Sequence, residues 1–379
     1  MKFLRRLVPC ALVILTLVLV FPLFGGCSGD SQSSNRFHEL LKLVPSELND
    51  SPELLLLFDY ASFQEDFNIS LTTTDNQPIA FLDYYKQLSQ GIIGIWLMGH
   101  EITGYGRWAE TGTIKDKYVG YNFTDVEAEI RTGTPPIDVV AAIGRFDPQA
   151  TWDALNQQDE WLPWVIDAYV TEEYRSVTIH TWGNGLEQHL QGRLTPPHVD
   201  ELGRAKPLAV SEKNLFYAAG TDTIKLMIDA SQGKTENLAD LPEFAAIANG
   251  LADLECYVAL IGYESLANGD PEIIETYAGP RLKKFVTFGS GLGRDYRGIY
   301  TAIVLYHENP EDADANISLL EERIAETDSI YSQSPWSEII IDTEIRVEGN
   351  VLLAKLYTRS PGIWSSWVYG RDTLLLHEE

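Results

Sequence analysis

From Arg36 onward the spacing of apolar residues switches between a helical period and a strand period. Phe37, Leu40, Leu41 and Val44 recur on one side of a helix predicted over Arg36 to Val44. Leu54 to Phe58 is a short apolar run and predicts a strand. Ile79, Leu82, Tyr85 and Leu88 return to helical spacing, predicting a helix from Pro78 to Ile93 that ends at Gly91 and Gly94. Tyr118 to Thr124 and Asp138 to Phe146 read as strands. At Asp147-Pro148 the period changes again: an aspartate that can accept from backbone N–H groups precedes a proline suited to a first helical turn, and Trp152 and Leu155 follow at a helical interval. Tyr174 to Trp182 alternates through Val177 and Ile179, Gly183-Asn184-Gly185 predicts a turn, and Leu208 to Ala218 supplies one or two strands. Two helices, Thr221 to Ser231 and Leu241 to Leu251, flank a turn at Gly233.

From Glu255 the order of elements repeats. Cys256 to Tyr263 answers Leu54 to Tyr60, and Pro271 to Phe288 answers Pro78 to Ile93 as a helix followed by a glycine-rich passage. Thr301 to Tyr306 runs into Asn309-Pro310 as Val139 to Phe146 runs into Asp147-Pro148. The helix that follows, Glu311 to Thr327, has acids in its first turn, where they favour the helix dipole, and an apolar stripe at Ile317, Leu320 and Ile324. A hairpin is predicted from Ile339 to Tyr357 around Gly349-Asn350, with Trp367 to Leu376 as the last strand. These patterns predict an α+β fold of two duplicated halves, 36–252 and 253–379, each an antiparallel sheet backed by helices.

The longest apolar run is elsewhere, at Leu7 to Phe24, behind the basic residues Lys2, Arg5 and Arg6. That is the layout of a secretory signal. It ends in Leu23-Phe24-Gly25-Gly26-Cys27, which resembles the lipobox of bacterial lipoproteins, with Phe24 where such boxes usually carry an aliphatic residue. The resemblance implies removal of residues 1–26 and a diacylglyceryl group on the Cys27 thiol, with 27–35 as a polar tether. It also implies a cell-membrane location on the extracytoplasmic side, the membrane itself being a partner through the lipid. An uncleaved transmembrane anchor is the competing reading, because the run is close to the roughly 20 residues that span a bilayer.

Charge narrows the partners. The formal net charge is -27, and removing Lys2, Arg5 and Arg6 with the signal takes it to -30. Such an acidic surface repels nucleic acid. With 45% hydrophobic and 11% aromatic residues the chain has material for packed cores. Of three cysteines, Cys10 lies in the signal and Cys27 takes lipid, so no intrachain disulfide forms; Cys256, inside an apolar run, reads as a buried structural thiol.

A second resemblance rests on Asn214 to Thr221, Ile228 to Lys234 and Asn237-Leu238-Ala239-Asp240-Leu241-Pro242-Glu243-Phe244. These stretches, with Leu43-Val44-Pro45 before the first strand, resemble a family of secreted bacterial domains of unknown function, number thirty-three fifty-two, over Val44 to Glu264. The resemblance implies an extracytoplasmic location and a similar order of strand, helix and glycine turn, and no catalytic residue. Physically the motif is structural: Gly233 ends one helix, Asp240 caps the next and Phe244 enters a core.

Catalytic and metal motifs are weak. The seven histidines include no His-Glu-x-x-His, His189 and His198 are too far apart for one helical face, and His100-Glu101 are neighbours that a strand would point to opposite faces. Asp312-x-Asp314-x-Asn316 starts like a calcium loop, but Ile317 replaces its glycine and Arg323 its final glutamate. Ser231 and Lys234 have a penicillin-binding spacing only across a helix-ending glycine. Gly289-Ser290-Gly291-Leu292-Gly293-Arg294 lacks nucleotide-loop spacing and reads as a flexible loop. Glu172-Glu173 is one pair among 55 acids. No catalytic residue, metal ligand or cofactor site is assigned. The residues singled out for ligand contact are Trp161, Trp164, Trp364 and Trp367, which could form a sugar platform. The expected function is a non-enzymatic, lipid-anchored binding or envelope-assembly module. The alternatives are a solute-binding lipoprotein that holds a sugar or other small ligand between the halves, and a hydrolase with a dispersed carboxylate site.

Overall fold

The computed structural model describes residues 35–49, 54–67, 119–121, 125–133, 137–190, 203–268, 277–359, 363–369 and 372–378. The signal, Cys27, the helix expected at Pro78 to Ile93 and His100-Glu101 lie outside the described residues.

Arg36–Glu379 forms one compact unit around a twelve-stranded antiparallel sheet. The strands are β1 (Leu55–Asp59), β2 (Val126–Thr132), β3 (Val139–Gly144), β4 (Val170–Tyr174), β5 (Val177–Thr181) and β6 (Leu208–Val210). They continue with β7 (Asn214–Ala218), β8 (Cys256–Tyr263), β9 (Thr287–Asp295), β10 (Gly298–Tyr306), β11 (Ile340–Glu348) and β12 (Val351–Thr358). Their spatial order is β11-β12-β10-β9-β8-β1-β2-β3-β7-β6-β5-β4. The chain is therefore α+β, as its periodicity predicts, but with one sheet instead of two. Leu55 to Phe58 of β1 pair directly with Ile261 to Val258 of β8, so the backbone hydrogen bonds run without a break across the boundary at residues 252 and 253.

The sheet carries a core on each face. Against the first pack α2 (Tyr60–Asp66), α3 (Pro148–Asn156), α4 (Pro163–Ala168), α7 (Pro310–Glu326), α8 (Trp336–Ile339) and α9 (Ile363–Tyr369), through side chains such as Phe63, Leu155, Val165, Leu320, Trp336 and Trp364. Against the second pack α1 (Arg36–Leu41), α5 (Thr221–Ser231) and α6 (Pro242–Asp253), through Leu40, Ile224, Met227, Phe244 and Ile247. With both faces covered, strands such as β3 and β8 are apolar along their whole length. Seven of the eight residues of β8 are buried, Cys256 among them.

The caps are where the sequence places them. Asp147 accepts from the Gln149 N–H at 2.9 Å and Asn309 from the Asp312 N–H at 2.9 Å, each before a proline in the first turn. Asp240 differs: it joins Asn237 in a reciprocal capping box on the 3₁₀ turn Leu238–Asp240, one element before α6.

Four expectations change. Gly289 to Arg294 is the middle of β9, with Gly289, Gly291 and Gly293 on one side of the strand and Phe288, Ser290 and Leu292 on the other. A Cβ on Gly289 would lie 2.6 Å from Ile247 Cγ2, so the absent side chains let α6 approach the sheet. Trp367 to Leu376 is α9 followed by a 3₁₀ turn, because Trp364, Trp367 and Val368 share a helical face that packs on β9. Residues 277–286 are irregular, their backbone held by Arg323, which donates to the carbonyls of Pro280, Thr373 and Leu374. In the region read as a strand from Tyr118 to Thr124, the described residues 119–121 are not in one. The strand is β2, whose Val-Glu-Ala-Glu-Ile-Arg alternation had gone unread.

Candidate functional site

At the β4 edge of the sheet an aromatic surface is built from α3, α4, the β4–β5 hairpin and the turn that follows. Pro163 opens α4 without needing an N–H, and the one-turn periodicity of so short a helix sends Val165 into the core while Trp164 and Ile166 stay outward. Trp164 is 38% exposed and its ring lies 4.5 Å from that of His189. Beneath it Trp161 is buried, edge-on to Tyr169 at 5.3 Å. The Tyr169 hydroxyl meets His180 Nδ1 at 2.9 Å, and the half-exposed ring of Trp152 stands 6.0 Å from the same imidazole. Leu186 and Leu190, each more than half exposed, extend the apolar area; Val170, also exposed, lies on the other face of β4, with Glu172 and Tyr174.

The aromatic centre is uncharged at neutral pH. Burial lowers the His180 pKa to about 4 and raises that of Tyr169 to about 12. A neutral imidazole can accept the tyrosine proton at Nδ1, which fixes both rings. The surroundings are acidic: from Asp147 to Leu190 the sequence holds eight acids and a single Lys or Arg, Arg175. Such a surface offers stacking and apolar contact inside a negative rim.

The hairpin that carries β4 has its own strap. Arg175 and Ser176 both have positive φ, 52° and 64°, making a two-residue turn of the type usually given to Asn-Gly. Asp229 on α5 accepts from the Tyr174 hydroxyl at 2.7 Å and from Arg175 Nε at 3.0 Å, and Gln232 donates to the Arg175 carbonyl. These bonds hold a turn that its own residues disfavour.

Of the four tryptophans singled out, Trp161 and Trp164 belong to this surface. Trp364 and Trp367 are buried on the opposite half of the sheet, where Trp367 Nε1 donates to Ser290 Oγ at 3.0 Å. Only Trp164 of the four presents an exposed ring. Trp152, Tyr169 and His180 carry no local motif; the signal available for them was the density of aromatic residues from Trp152 to Trp182 with few bases between them.

The other candidates resolve into structural roles. Burial raises the pKa of the Cys256 thiol far above its ordinary value. Glu172 pairs with Lys225 at 2.7 Å, while Glu173, next along the strand and so on its other face, accepts from Thr178. Asn316 is fully buried and bonds His307 Nε2 and both backbone groups of Lys283, tying α7 to the irregular segment. Among the described residues no group of three or more His, Cys, Asp or Glu is placed to hold a metal ion. A second concavity of about 660 Å³ lies at the C-terminal end of α7, lined by Tyr277, Gly279, Pro280, Glu322, Glu326 and Ile330 among others.

No family model matches the chain, and no curated protein matches it. The resemblance to the secreted domain family therefore stands on the quoted residues alone. Among solved structures the chain is distantly similar to the Treponema protein TP0453. Crystal form I gives 10% identity and a TM-score of 0.39, covering 89% of this chain and 98% of that one. Form III gives 12% and 0.38 over 87% and 97%, and form IV 11% and 0.34 over 86% and 95%. At these scores the likeness decides neither fold nor role.

Proposed function

We propose that the protein is a lipid-anchored, extracytoplasmic binding or envelope-assembly module without catalytic activity, and that its contact surface is the aromatic end of the sheet around Trp164. The observation that carries this reading is the exposure there of Trp152, Trp164, Ile166, Leu186 and Leu190 beside a neutral aromatic cluster, on an otherwise acidic chain. Exposed apolar side chains gathered in one place mark interaction sites. The anchor rests on Leu23 to Cys27, with the tether 27–35 leading to the start of the folded unit at Arg36.

Duplication belongs to the same proposal. Outward from the central β1–β8 pair the order is β1-β2-β3-β7-β6 on one side and β8-β9-β10-β12-β11 on the other. In each series the third strand leads through a capping residue and a proline into a helix, α3 or α7, and both helices pack on the same face. A two-fold axis normal to the sheet relates elements in this way. The solute-binding alternative lacks the feature it called for. The halves meet as neighbouring strands, and three of its four tryptophans are buried.

The test is a thermal-shift screen of a soluble Ser28 to Glu379 chain against saccharides, peptidoglycan fragments, peptides and lipid vesicles. A ligand at 100 times its dissociation constant stabilises a single site by about 2.7 kcal/mol. The expected result is a shift that Trp164→Ala removes without altering the unliganded transition. A shift that survives Trp164→Ala would move the site elsewhere.

A further inference from the structure

We infer that the outer edge of β4 takes an extended, basic segment of a partner polypeptide as an added strand, with the neighbouring aromatic surface gripping its apolar side chains. This rests on the reading of the Trp164 surface as the contact site and names the chemistry of its partner.

The first ground is the edge itself. Among the described residues no strand pairs with the outer side of β4, and all but Tyr174 of its five residues are exposed. Because Tyr174 and Val177 flank a two-residue turn, they form a hydrogen-bonded pair, and the pairs Glu172–Ile179 and Val170–Thr181 follow in the same phase. The N–H and C=O groups of Thr171 and Glu173 then point away from β5, towards the open side. An incoming strand finds four backbone partners there.

The second ground is the contrast between the two ends of the sheet. The other edge strand, β11, is broken in register between Ile340 and Asp342. Irregular edges resist strand addition. β4 keeps regular register through all five residues and is held rigid by the Asp229 strap on its strained turn. A pre-ordered edge loses little freedom on binding.

The third ground is charge. On the face that Thr171 and Glu173 share, a strand beside β4 meets the Glu173 carboxylate, with Asp167 and Glu187 exposed nearby; Glu172, on the other face, is already paired with Lys225. A Lys or Arg opposite Glu173 meets its carboxylate. On the same face the position opposite Thr171 lies towards the aromatic surface, since Thr171 lies opposite His180. The fitting partner is therefore an extended segment that carries, on one face, a basic residue opposite Glu173 and an apolar residue opposite Thr171.

The test uses the full-length chain in detergent and a short soluble peptide repeating Lys-Thr-Val-Thr, which sets Lys and Val in turn on one face of a strand, with a control peptide N-methylated at the amides that would face β4. Thr171→Pro removes one outward N–H while leaving the β4–β5 hydrogen bonds intact, as edge prolines do. The expected result is saturable binding that weakens about tenfold or more on N-methylation and in Thr171→Pro, and that Trp164→Ala also weakens. Binding that ignores N-methylation and Thr171→Pro overturns strand addition but leaves the Trp164 surface standing. Trp164-dependent binding of a saccharide with none of the peptide also overturns it. No Trp164-dependent binding of any probe overturns both.

Discussion

His180 and Gly291 are single residues whose surroundings set measurable costs. His180 titrates near pH 4 in the folded chain and at about 6.5 when unfolded, because burial disfavours the imidazolium. Between these values the unfolded state binds more protons, so stability rises with pH through that window. The contribution is present in full above pH 6.5 and disappears as the pH falls towards 4, a change of roughly 3 kcal/mol at most. His377, also lowered to about 4, acts in the same direction. In His180→Phe, urea unfolding measured from pH 7 to 4 should show a shallower loss than the parent chain; an unchanged slope would mean that His180 is not held neutral. At Gly291 an added Cβ would come within 2.7 Å of the Val258 carbonyl oxygen, a backbone atom that cannot rotate aside. Gly291→Ala should therefore destabilise by about 1–3 kcal/mol in denaturant unfolding. Conversely, Gly349, with φ of +63° and nothing within 4 Å of its missing Cβ, is constrained by backbone conformation alone.

At the two helix starts, Asp147-Pro148 and Asn309-Pro310, the residue before the proline caps the first turn, Asp147 accepting from the Gln149 N–H and Asn309 from the Asp312 N–H. Asp147→Ala and Asn309→Ala should each cost about 1 kcal/mol, read from shifted urea midpoints at unchanged slope. Ser290→Ala offers a different check, because Ser290 Oγ accepts from Trp367 and donates to the Trp364 carbonyl in a buried position. That substitution should cost about 1–3 kcal/mol and alter the near-ultraviolet signal of these tryptophans. Elements with a local signature were legible in the sequence: α5 spans Thr221–Ser231 as read, and β12 and α7 agree to within a residue or two at each end. Those defined by partners were not. β9 looks like a loop because the strand needs glycines where α6 presses on it, and the Arg175-Ser176 turn contains neither Asn nor Gly because Asp229 and Gln232 on a distant helix hold it. The tryptophan pairs show the same limit. Trp161 and Trp164 lie three residues apart, yet one is core and the other surface, and only the packing of Trp161 and Val165 into the core on the first face decides which.

One sheet joins the whole described body, so the halves share their hydrogen-bond ladder at β1–β8. Calorimetry should show a single unfolding transition for Ser28 to Glu379, and a chain ending at residue 252 should expose the paired edge of β1 and fail to fold cooperatively. Two separate transitions would mean that the halves are independent. The two strand-cap-proline-helix passages were visible in the sequence; the joining of all twelve strands in one sheet was not, because pairing between β1 and β8 leaves no local mark. In the proposed reading the acidic charge sets the kind of partner, and the aromatic end of the sheet sets where it docks. Hydrogen exchange of the full-length chain, with and without the ligand found by thermal shift, tests that placement most directly. Protection confined to α4, β4 and residues 183–190, with Thr171 and Glu173 slowed most, is the predicted result. Protection centred instead on the concavity between Tyr277 and Glu326, with β4 unchanged, would contradict it.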